Sequence, residues 1–339
     1  MTQHNPPKNN TQHPFLFVFL ISLMVVTFFC SLLVGSSNIG INELMAVILG
    51  KGDPTTSLIL IEIRLPRAIL GMMIGVTLGL GGAALQGFLR NPLAEPGLIG
   101  VSSAASLGAV ITIYTGLSGL FSLALPLGGI LGALLAVCLI QMLAGKNSST
   151  LRLILAGIAV SSFAAALTSL ALNLAPNPYV ALEIMFWLMG SIANRSFEHV
   201  YLSVPFMVIG WSLLLIQGRA LDALTLGEEA AHSLGFNLNQ IGTFIVFGIA
   251  LSVGAATAVS GSIGFIGLVV PHLLRRWVGH SPSALLLASG LGGASLTLIA
   301  DIAVRVLSTG TELKLGVLTA LIGAPFFLIL IMKTQKDLP

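Results

Sequence analysis

The segment RLPRAILGMMIGVTLGLGGAALQGFL, residues 64–89, is a long apolar run whose only two charges lie within its first four residues. A helical run of about 20 apolar residues is long enough to cross the hydrocarbon core of a bilayer. Gly71, Gly75 and Gly79 recur every four residues, so on a helix they form one stripe that allows close approach of a neighbouring helix. The segment therefore predicts a transmembrane helix that is packed tightly against another helix.

The composition of the whole chain excludes a soluble globular protein. Of its 339 residues 55% are hydrophobic and 8% are charged, whereas soluble domains carry roughly 25% charged residues. The net charge of +3 is small and no basic patch with interleaved aromatic residues occurs, so we expect no nucleic-acid partner. Cys30 and Cys138 lie in apolar runs without a Cys-x-x-Cys or Cys/His cluster, which predicts neither a metal site nor a disulfide framework.

Apolar runs of spanning length recur along the chain, and we predict an all-α integral membrane protein with about ten transmembrane helices. The runs cover 15–35, 66–88, 98–115, 120–143, 151–174, 200–217, 240–260, 262–278, 284–304 and 315–332. The first run is longer than the apolar core of a signal peptide and lacks a small-residue cleavage site, so we expect it to be retained. Two shorter runs, 40–50 and 181–193, predict interfacial helices.

The predicted organisation is one transmembrane domain over residues 15–332, with polar tails at 1–14 and 333–339. An even number of spans puts both tails on one side of the membrane. The distribution of lysine and arginine between the loops favours the cytoplasm for that side.

Two short stretches of similar sequence suggest an internal repeat. GLIGV (97–101) follows the second span and GFIGL (264–268) follows the seventh, and three further spans come after each stretch. An odd number of spans separates the two stretches, so they would lie on opposite faces of the membrane. This spacing predicts an inverted repeat of spans 2–5 and 7–10, as many transporters have.

The stretch LDALTLGEEAAHSLGFN, residues 221–237, is unusually polar for its position between two predicted spans. Thr225 and Glu228 match a capping box that would open a short helix, and Gly235 would close that helix. A second short helix is expected around Leu221–Leu224. We call residues 221–235 the two-helix segment and predict that it is a docking element for a soluble partner.

The chain carries no sequence motif for energising transport by itself. Gly50-Lys51 and Gly145-Lys146 lack the upstream glycine and the following Ser or Thr of a phosphate-binding loop. Asp301 is the best candidate for a carboxylate inside the membrane, and Arg305 is placed to pair with it one helical turn later. A secondary transporter that works alone through Asp301 remains an alternative hypothesis.

Four stretches closely resemble the FecCD-type permease subunits of bacterial importers for iron–siderophore complexes, haem and cobalamin. They are RLPRAILGMMIGVTLGLGGAALQGFLRNPLAEPGLIGVSSAASLGAV (64–110), LGEEAAHSLG (226–235), GSIGFIGLVVPHLLRR (261–276) and LGVLTALIGAPFFLILI (315–331). Their order and spacing match the family from about residue 35 to the end of the chain.

The resemblance implies a non-catalytic transport subunit in the bacterial inner membrane. Its expected partners are a second permease subunit, taken here as an identical copy, two ATPase subunits and a periplasmic or lipid-anchored binding protein. This chain would bind no cofactor, because ATP and magnesium would belong to the ATPase partner. The expected cargo is an iron–siderophore complex or haem, with cobalamin as the alternative.

The resemblance also assigns expected roles to individual residues. The ATPase-coupling residues would be Leu221, Asp222, Leu224, Thr225, Gly227, Glu228, Glu229, His232, Leu234 and Gly235. The arginines expected to dock the binding protein are Arg64, Arg67 and Arg305, which would form a cationic rim on the outer face. The loop expected to form a gate or a wall of the path contains Asn91, Pro92, Pro96 and Gly97. One departure is Lys314, which stands where the family has proline and adds a positive charge before the last span.

Overall fold

The computed structural model describes residues 13–35, 37–145, 150–308 and 313–336, and all regular structure in these ranges is helical. The helices are α1 (His13–Leu33), α2 (Ile41–Ile48), α3 (Pro54–Leu58), α4 (Leu65–Leu89), α5 (Val101–Tyr114), α6 (Ala124–Ala144), α7 (Thr150–Asn173), α8 (Pro178–Leu188), α9 (Phe197–Ile216), α10 (Gly218–Leu224), α11 (Glu228–Ser233), α12 (Leu238–Ser260), α13 (Ile266–Leu274), α14 (Pro282–Leu307) and α15 (Leu315–Lys336). The predicted tail 1–14 lies almost wholly outside the described residues, and the predicted tail 333–339 overlaps the end of α15.

The helices confirm an all-α membrane protein. Seven helices of the described ranges are long and apolar enough to cross a bilayer: Pro14–Leu33, Pro54–Leu89, Ala124–Ala144, Leu151–Asn173, Phe197–Ile216, Leu238–Ser260 and Pro282–Leu307. The second of these is a continuous helix in which a π-helical turn, Ile59–Arg64, joins α3 to α4. The predicted spans at 98–115 and 315–332 form the shorter apolar helices α5 and Leu315–Leu330. The two shorter predicted helices, at 40–50 and 181–193, are present as α2 and α8, and their interfacial position stays a prediction.

The predicted span over 262–278 is not a single helix of spanning length. Its helix, α13, has nine residues and is about 14 Å long at 1.5 Å per residue, less than half of the hydrocarbon core. The chain leaves α12 at Gly261 with φ of 72°, and Phe265 adopts a left-handed conformation with φ of 68° immediately before α13. Hydropathy alone predicted a span because the non-helical residues before α13, 262–265, are also largely apolar.

The glycine stripe of α4 packs against α14, as its spacing predicts. A Cβ atom on Gly75 would collide with the carbonyl oxygen of Gly293, and one on Gly79 would collide with that of Ser289. The two backbones therefore touch directly, and most residues of α4 are buried.

The pattern of helix packing supports the inverted repeat. Pairing spans 2–5 with 7–10 exchanges α4 with α12, α5 with α13, and α6 with α14. If the repeat is real, the contacts of α4 with α14 and α13 should have counterparts in contacts of α12 with α6 and α5. All four pairs of helices are in contact.

A residue just before the first similar stretch contacts the second stretch inside the protein, and the expectation that the two stretches lie on opposite membrane faces stays a prediction. The Glu95 carboxylate, next to the first stretch, accepts a hydrogen bond of 2.6 Å from the Phe265 N–H in the second. Both stretches turn into the bundle, one as a 3-10 turn at Pro96–Ile99 and one as the start of α13. Contact between equivalent elements is compatible with a pseudo-two-fold axis in the membrane plane.

The hydrogen bonds define two ends of the bundle. The near end carries the two-helix segment together with the end of α4 and the start of α14, which are joined by Arg90–Glu228 and Ser283–Asp222 contacts. The far end carries the starts of α4, α9 and α15 and the ends of α1, α12 and α14.

Candidate functional site

The two-helix segment forms at the near end from α10 and α11. Leu221 and Leu224 are 0% and 2% exposed and belong to the main hydrophobic core. Leu226 and Leu234 are 71% and 61% exposed, and Glu229 and His232 are also exposed. The segment thus has one side buried in the bundle and another side open. The predicted coupling role of Leu221 and Leu224 cannot be a surface contact here, while Leu226, which the sequence reasoning missed, lies on the open side.

Asp222 fixes the orientation of α10 relative to α14. Its Oδ1 accepts a 2.9 Å hydrogen bond from the backbone N–H of Ser283 and a 3.4 Å hydrogen bond from the Ser281 hydroxyl. Both donors lie at the N-terminus of α14, where unpaired N–H groups and the helix dipole favour an anion. Asp222 therefore positions the segment on the bundle.

The predicted capping box of Thr225 and Glu228 does not form. The Thr225 hydroxyl donates back to the Asp222 carbonyl oxygen at 2.7 Å and so closes α10. Gly227 precedes α11 with φ of 108°, a conformation that L side chains rarely adopt. The predicted closing role of Gly235 is confirmed, since it has φ of 87° and its N–H donates to the His232 carbonyl oxygen at 2.9 Å.

Glu228 connects the segment to the loop that was predicted to form a gate. Its Oε1 lies 2.8 Å from Nη2 of Arg90, and each side chain is 49% exposed. Arg90 ends α4 in a left-handed conformation with φ of 49°. The pair therefore links α11 to the end of α4 at the first residue of the loop.

The predicted gate residues occupy different environments. The Asn91 Oδ1 accepts from the Leu93 N–H at 2.9 Å and forms an Asx turn. Asn91, Pro92 and Gly97 are exposed, whereas Pro96 is buried. The Pro96 ring lies close to Gly81 and Gly267, so it packs between α4 and α13.

Glu95 and Gln86 connect this loop to the start of α13, and the sequence reasoning singled out neither. The Gln86 amide donates to the carbonyl oxygens of Ala94 and Gly267 at 3.2 and 3.3 Å, and its Oε1 accepts from Arg275 at 2.6 Å. Glu95 lies in the connection between α4 and α5, outside the spanning helices; burial raises the pKa of its carboxyl and the bond from Phe265 opposes the rise. A movement of α13 would therefore change these hydrogen bonds and shift the loop.

The three arginines predicted to dock the binding protein make contacts within the chain: Arg64 is buried, and Arg67 and Arg305 are half-buried. Their docking role stays a prediction. Arg64 is 4% exposed. Its guanidinium donates to the carbonyl oxygens of Leu32, Leu33 and Ser37 at 2.8, 2.7 and 2.5 Å, and to the Ser37 hydroxyl at 2.8 Å. Arg64 thus caps the C-terminus of α1, whose last carbonyl groups have no helical partner.

Asp301 lies between the other two arginines and is 0% exposed. Arg67 binds its carboxylate through Nη2 at 2.8 Å and Nε at 3.0 Å, and Arg305 binds it at 2.7 Å. Arg305 also donates to the carbonyl oxygens of Ser31 and Val34 at 2.7 Å. We call Arg64, Arg67, Asp301 and Arg305 the arginine cluster; it joins α1, α4 and α14.

The described residues contain no group of three or more His, Cys, Asp or Glu side chains that could hold a metal ion. The polar contacts of both ends are made by arginine, carboxylate and backbone groups. The arrangement provides rigid attachment and an open surface at the near end.

Comparison with known proteins gives a match to the FecCD transport family over residues 23–333. The vitamin B12 import system permease protein BtuC of Vibrio cholerae is 40% identical over 278 residues, which cover 81% of this chain and 83% of that protein. The hemin transport system permease protein HmuU of Yersinia pestis is 36% identical over 325 residues, covering 94% of this chain and 96% of that protein.

A solved structure has the same fold. It is described as an inward-facing conformation of an ABC transporter assigned to the metal-chelate type, and it is 34% identical with a TM-score of 0.83. The match covers 94% of this chain and 99% of that chain. The similarity therefore extends over nearly the whole length of both proteins.

Proposed function

The chain belongs to the FecCD transport family, and we propose that it is the permease subunit of an ATP-driven importer for a metal chelate, carrying an iron–siderophore complex or haem. It is a multi-pass membrane protein of a family of transport components. In the proposed importer it works as a homodimer in the bacterial inner membrane with both termini in the cytoplasm. It binds no cofactor itself, since ATP and magnesium are held by the partner.

The observation that carries the proposal is the contrast between the two sides of the two-helix segment. Its buried side is held by Leu221, Leu224 and the Asp222 contacts with α14, so a force on the segment passes to the membrane helices. Its open side presents Leu226 and Leu234 beside Glu229 and His232. Exposed leucines that are surrounded by charged side chains are typical of a docking surface. The proposed partners are two ATPase subunits, one for each permease copy.

A binding protein on the opposite side is the remaining partner that the family implies. In the arginine cluster Arg64 and Asp301 are buried and Arg67 and Arg305 are half-buried, and its guanidinium groups bond within the chain, so its proposed contribution to docking is indirect. Arg67 has a side chain that is 17% exposed, and it is the member of the cluster that a partner could reach with the smallest rearrangement.

Cobalamin is a second candidate cargo because a cobalamin permease is among the relatives with high identity. A secondary transporter that works alone is less well supported. Its best intramembrane carboxylate, Asp301, is bonded to two arginines and therefore holds α4 and α14 together in this structure.

The proposal is tested by uptake in a strain that lacks this gene, with the gene restored on a plasmid. We expect gene-dependent uptake of labelled iron supplied on a siderophore or as haem, and copurification of an ATPase with the permease. Replacing Leu226 and Leu234 by serine should abolish both, whereas Leu120→Ser, at a residue that is 75% exposed away from the segment, should abolish neither. Uptake that continues without any copurifying ATPase would instead support the secondary transporter.

A further inference from the structure

The start of α13 is attached to the chain that follows α4. We call residues 90–95, the first part of that connection, the α4–α5 loop. The Glu95 carboxylate accepts a 2.6 Å hydrogen bond from the N–H of Phe265, the residue that precedes α13. The N–H groups at the start of a helix have no partner within it, and the helix dipole favours a negative charge there. A glutamate is therefore a stronger attachment at this place than a neutral side chain.

The backbone of Phe265 needs such an attachment. Its φ is 68°, which lies in the left-handed region that residues with bulky side chains rarely adopt. A conformation of this kind persists only where the surrounding contacts outweigh its cost. Without the Glu95 bond, Phe265 can return to an ordinary φ, while Gln86 still holds Gly267 to α4 at 3.3 Å. The change would then affect the residues before α13.

The side chain of Phe265 makes the second contact that fixes it, with α15. A Cβ atom on Gly323 would collide with the Cβ and ring atoms of Phe265, so the aromatic side chain lies directly against the backbone of α15. Gly323 is buried by this contact and its neighbours. About one turn later, the rings of His272 and Phe326 meet edge to face with centroids 5.7 Å apart. The position of α15 therefore depends on where Phe265 lies.

A groove lies between α15 and the residues before α13. It has a volume of about 630 Å³, and Phe265 is part of one wall while Ala320 is part of the other. Because Phe265 also touches Gly323, a change in the backbone of Phe265 alters the separation of the two walls. The width of the groove is thus linked to the Glu95 bond.

The other end of the α4–α5 loop is bonded to the two-helix segment. Glu228 of α11 pairs with Arg90, the first residue of the loop, at 2.8 Å. Within the loop, the Ala94 N–H donates to the Asn91 carbonyl oxygen at 3.1 Å, and Asn91 also forms an Asx turn. These bonds make the loop compact. A displacement of α11 is therefore passed along the loop to Glu95.

We propose that Glu95 is a positioning residue that makes the position of α15 depend on the two-helix segment. When the ATPase moves α11, the α4–α5 loop moves with it and Glu95 leaves the Phe265 N–H. Phe265 then leaves its left-handed conformation and moves away from Gly323, which widens the groove. Phe265 is thus a two-state element that both sites bias, which is the physical requirement for coupling between distant sites. This inference rests on the proposed function and adds how docking at the near end acts on α15.

The first test measures the groove in the purified permease alone. Ala320→Cys places a half-buried cysteine in the groove, after Cys30→Ser and Cys138→Ser have removed the exposed native cysteines. Its rate of modification by a maleimide reports the position of α15. Glu95→Ala should raise this rate about tenfold, the shift expected when a hydrogen bond to a charged group is lost. Glu95→Gln keeps an acceptor without the charge and should give a smaller rise.

Two controls show that the effect is specific to this contact. Glu62→Gln changes an exposed glutamate at the far end and should leave the modification rate of Ala320→Cys unchanged. Leu328→Cys places the cysteine at a residue of α15 that is 62% exposed and outside the groove. It should react equally fast with and without Glu95→Ala.

A second variant disturbs the same contact from the side of α15. Gly323→Ala adds a methyl group that collides with Phe265, so it should also raise the modification rate of Ala320→Cys about tenfold while Glu95 is intact. This variant keeps the test decisive if Glu95→Ala does not fold. Gly119→Ala is its control, because a Cβ atom there meets nothing within 4 Å, and it should have no effect.

The importer with its ATPase tests the connection to the near end. In wild type, ATP should shift the modification rate of Ala320→Cys about tenfold, toward the rate of Glu95→Ala. In Glu95→Ala with the ATPase still bound, ATP should cause no further change. The inference is overturned if Glu95→Ala and Gly323→Ala both react at the wild-type rate, or if ATP acts equally with and without Glu95.

The same measurements separate this inference from the proposed function. ATP-driven uptake together with modification rates that do not depend on Glu95 would contradict the role of Glu95 and retain the importer. A rate that depends on Glu95, in a permease that binds no ATPase, would contradict the importer and retain Glu95 as the residue that positions α15.

Discussion

The two ends of this protein use similar charged residues for opposite purposes. At the near end, Glu228, Glu229 and His232 are exposed on a segment that Leu221 and Leu224 anchor in the core. At the far end, the members of the arginine cluster are buried or half-buried, and their donors are bonded to Asp301 and to the last carbonyl groups of α1. The near end thus offers charge to a partner, and the far end uses charge to hold its own helices together.

The difference follows from the backbone groups that are available nearby. A helix that ends inside the protein leaves up to four carbonyl groups without partners, and a cation is favoured there. The end of α1 provides such carbonyls at Ser31, Leu32, Leu33 and Val34, and arginines can reach them. At the near end, the N-terminus of α14 is already satisfied by Asp222, so the remaining charges of the segment face outward.

The largest effect should come from removing the only carboxylate of the arginine cluster. Asp301→Ala leaves the half-buried Arg67 and Arg305 without their counter-ion, which should cost about 3–5 kcal/mol. We expect loss of monodisperse protein in detergent or a large fall in the unfolding temperature. Glu62→Ala, at an exposed carboxylate of the same end, is the control. If Asp301→Ala has normal stability, the arginines of the cluster must be accessible to water in solution. The charged residues of the far end would then be as accessible as those of the near end.

The next largest effect tests the two sides of the two-helix segment. Leu221 is fully buried, so Leu221→Ala should lower the free energy of unfolding by about 2–5 kcal/mol. Leu226→Ala should change it by less than about 0.5 kcal/mol, since Leu226 is 71% exposed. Thermal unfolding in detergent gives the first comparison, and ATPase copurification should fail for Leu226→Ala in a folded protein. Equal destabilisation by both changes would remove the distinction between the sides.

A smaller loss of stability is expected for Arg64, and it separates capping from docking. Arg64→Ala removes four hydrogen bonds to Leu32, Leu33 and Ser37 and should cost about 2–3 kcal/mol, because the buried carbonyls lose their partners. We expect a lower unfolding temperature before any binding protein is added. If stability is unchanged and association with the binding protein is lost, Arg64 is a docking residue after all.

Most of the spanning helices could be predicted because their apolar runs have the length that a bilayer requires. The runs at 66–88, 240–260 and 284–304 appear as α4, α12 and α14. The interruption before α13 could not be predicted, because Phe265 gives no local signal for a positive φ. Its conformation depends on the carboxylate of Glu95, which is 170 residues away in the sequence.

The sequence was enough to predict where the candidate site lies in the chain, but not which of its side chains are exposed. The capping and turn residues of 221–235 identified two short helices, and the structure has them. Which leucines are buried depends on where the segment sits against the bundle, and that contact involves α4 and α14. In the same way, the burial of Arg64 depends on the end of α1, about 30 residues earlier, where the sequence shows only an apolar run.

The smallest effect should come from the exposed pair Arg90–Glu228, and it measures how strongly the loop and the segment are coupled. Its two side chains are each 49% exposed at 2.8 Å, so a double-mutant cycle with Arg90→Gln and Glu228→Gln should give a coupling of about 0.2–1 kcal/mol that falls with added salt. The control cycle pairs Arg90 with Glu229, an exposed carboxylate that makes no ion pair with Arg90, and should give none. A coupling above about 2 kcal/mol would mean that the pair is shielded from water when the protein is assembled, and the near end would then hold a buried ionic contact comparable with the arginine cluster.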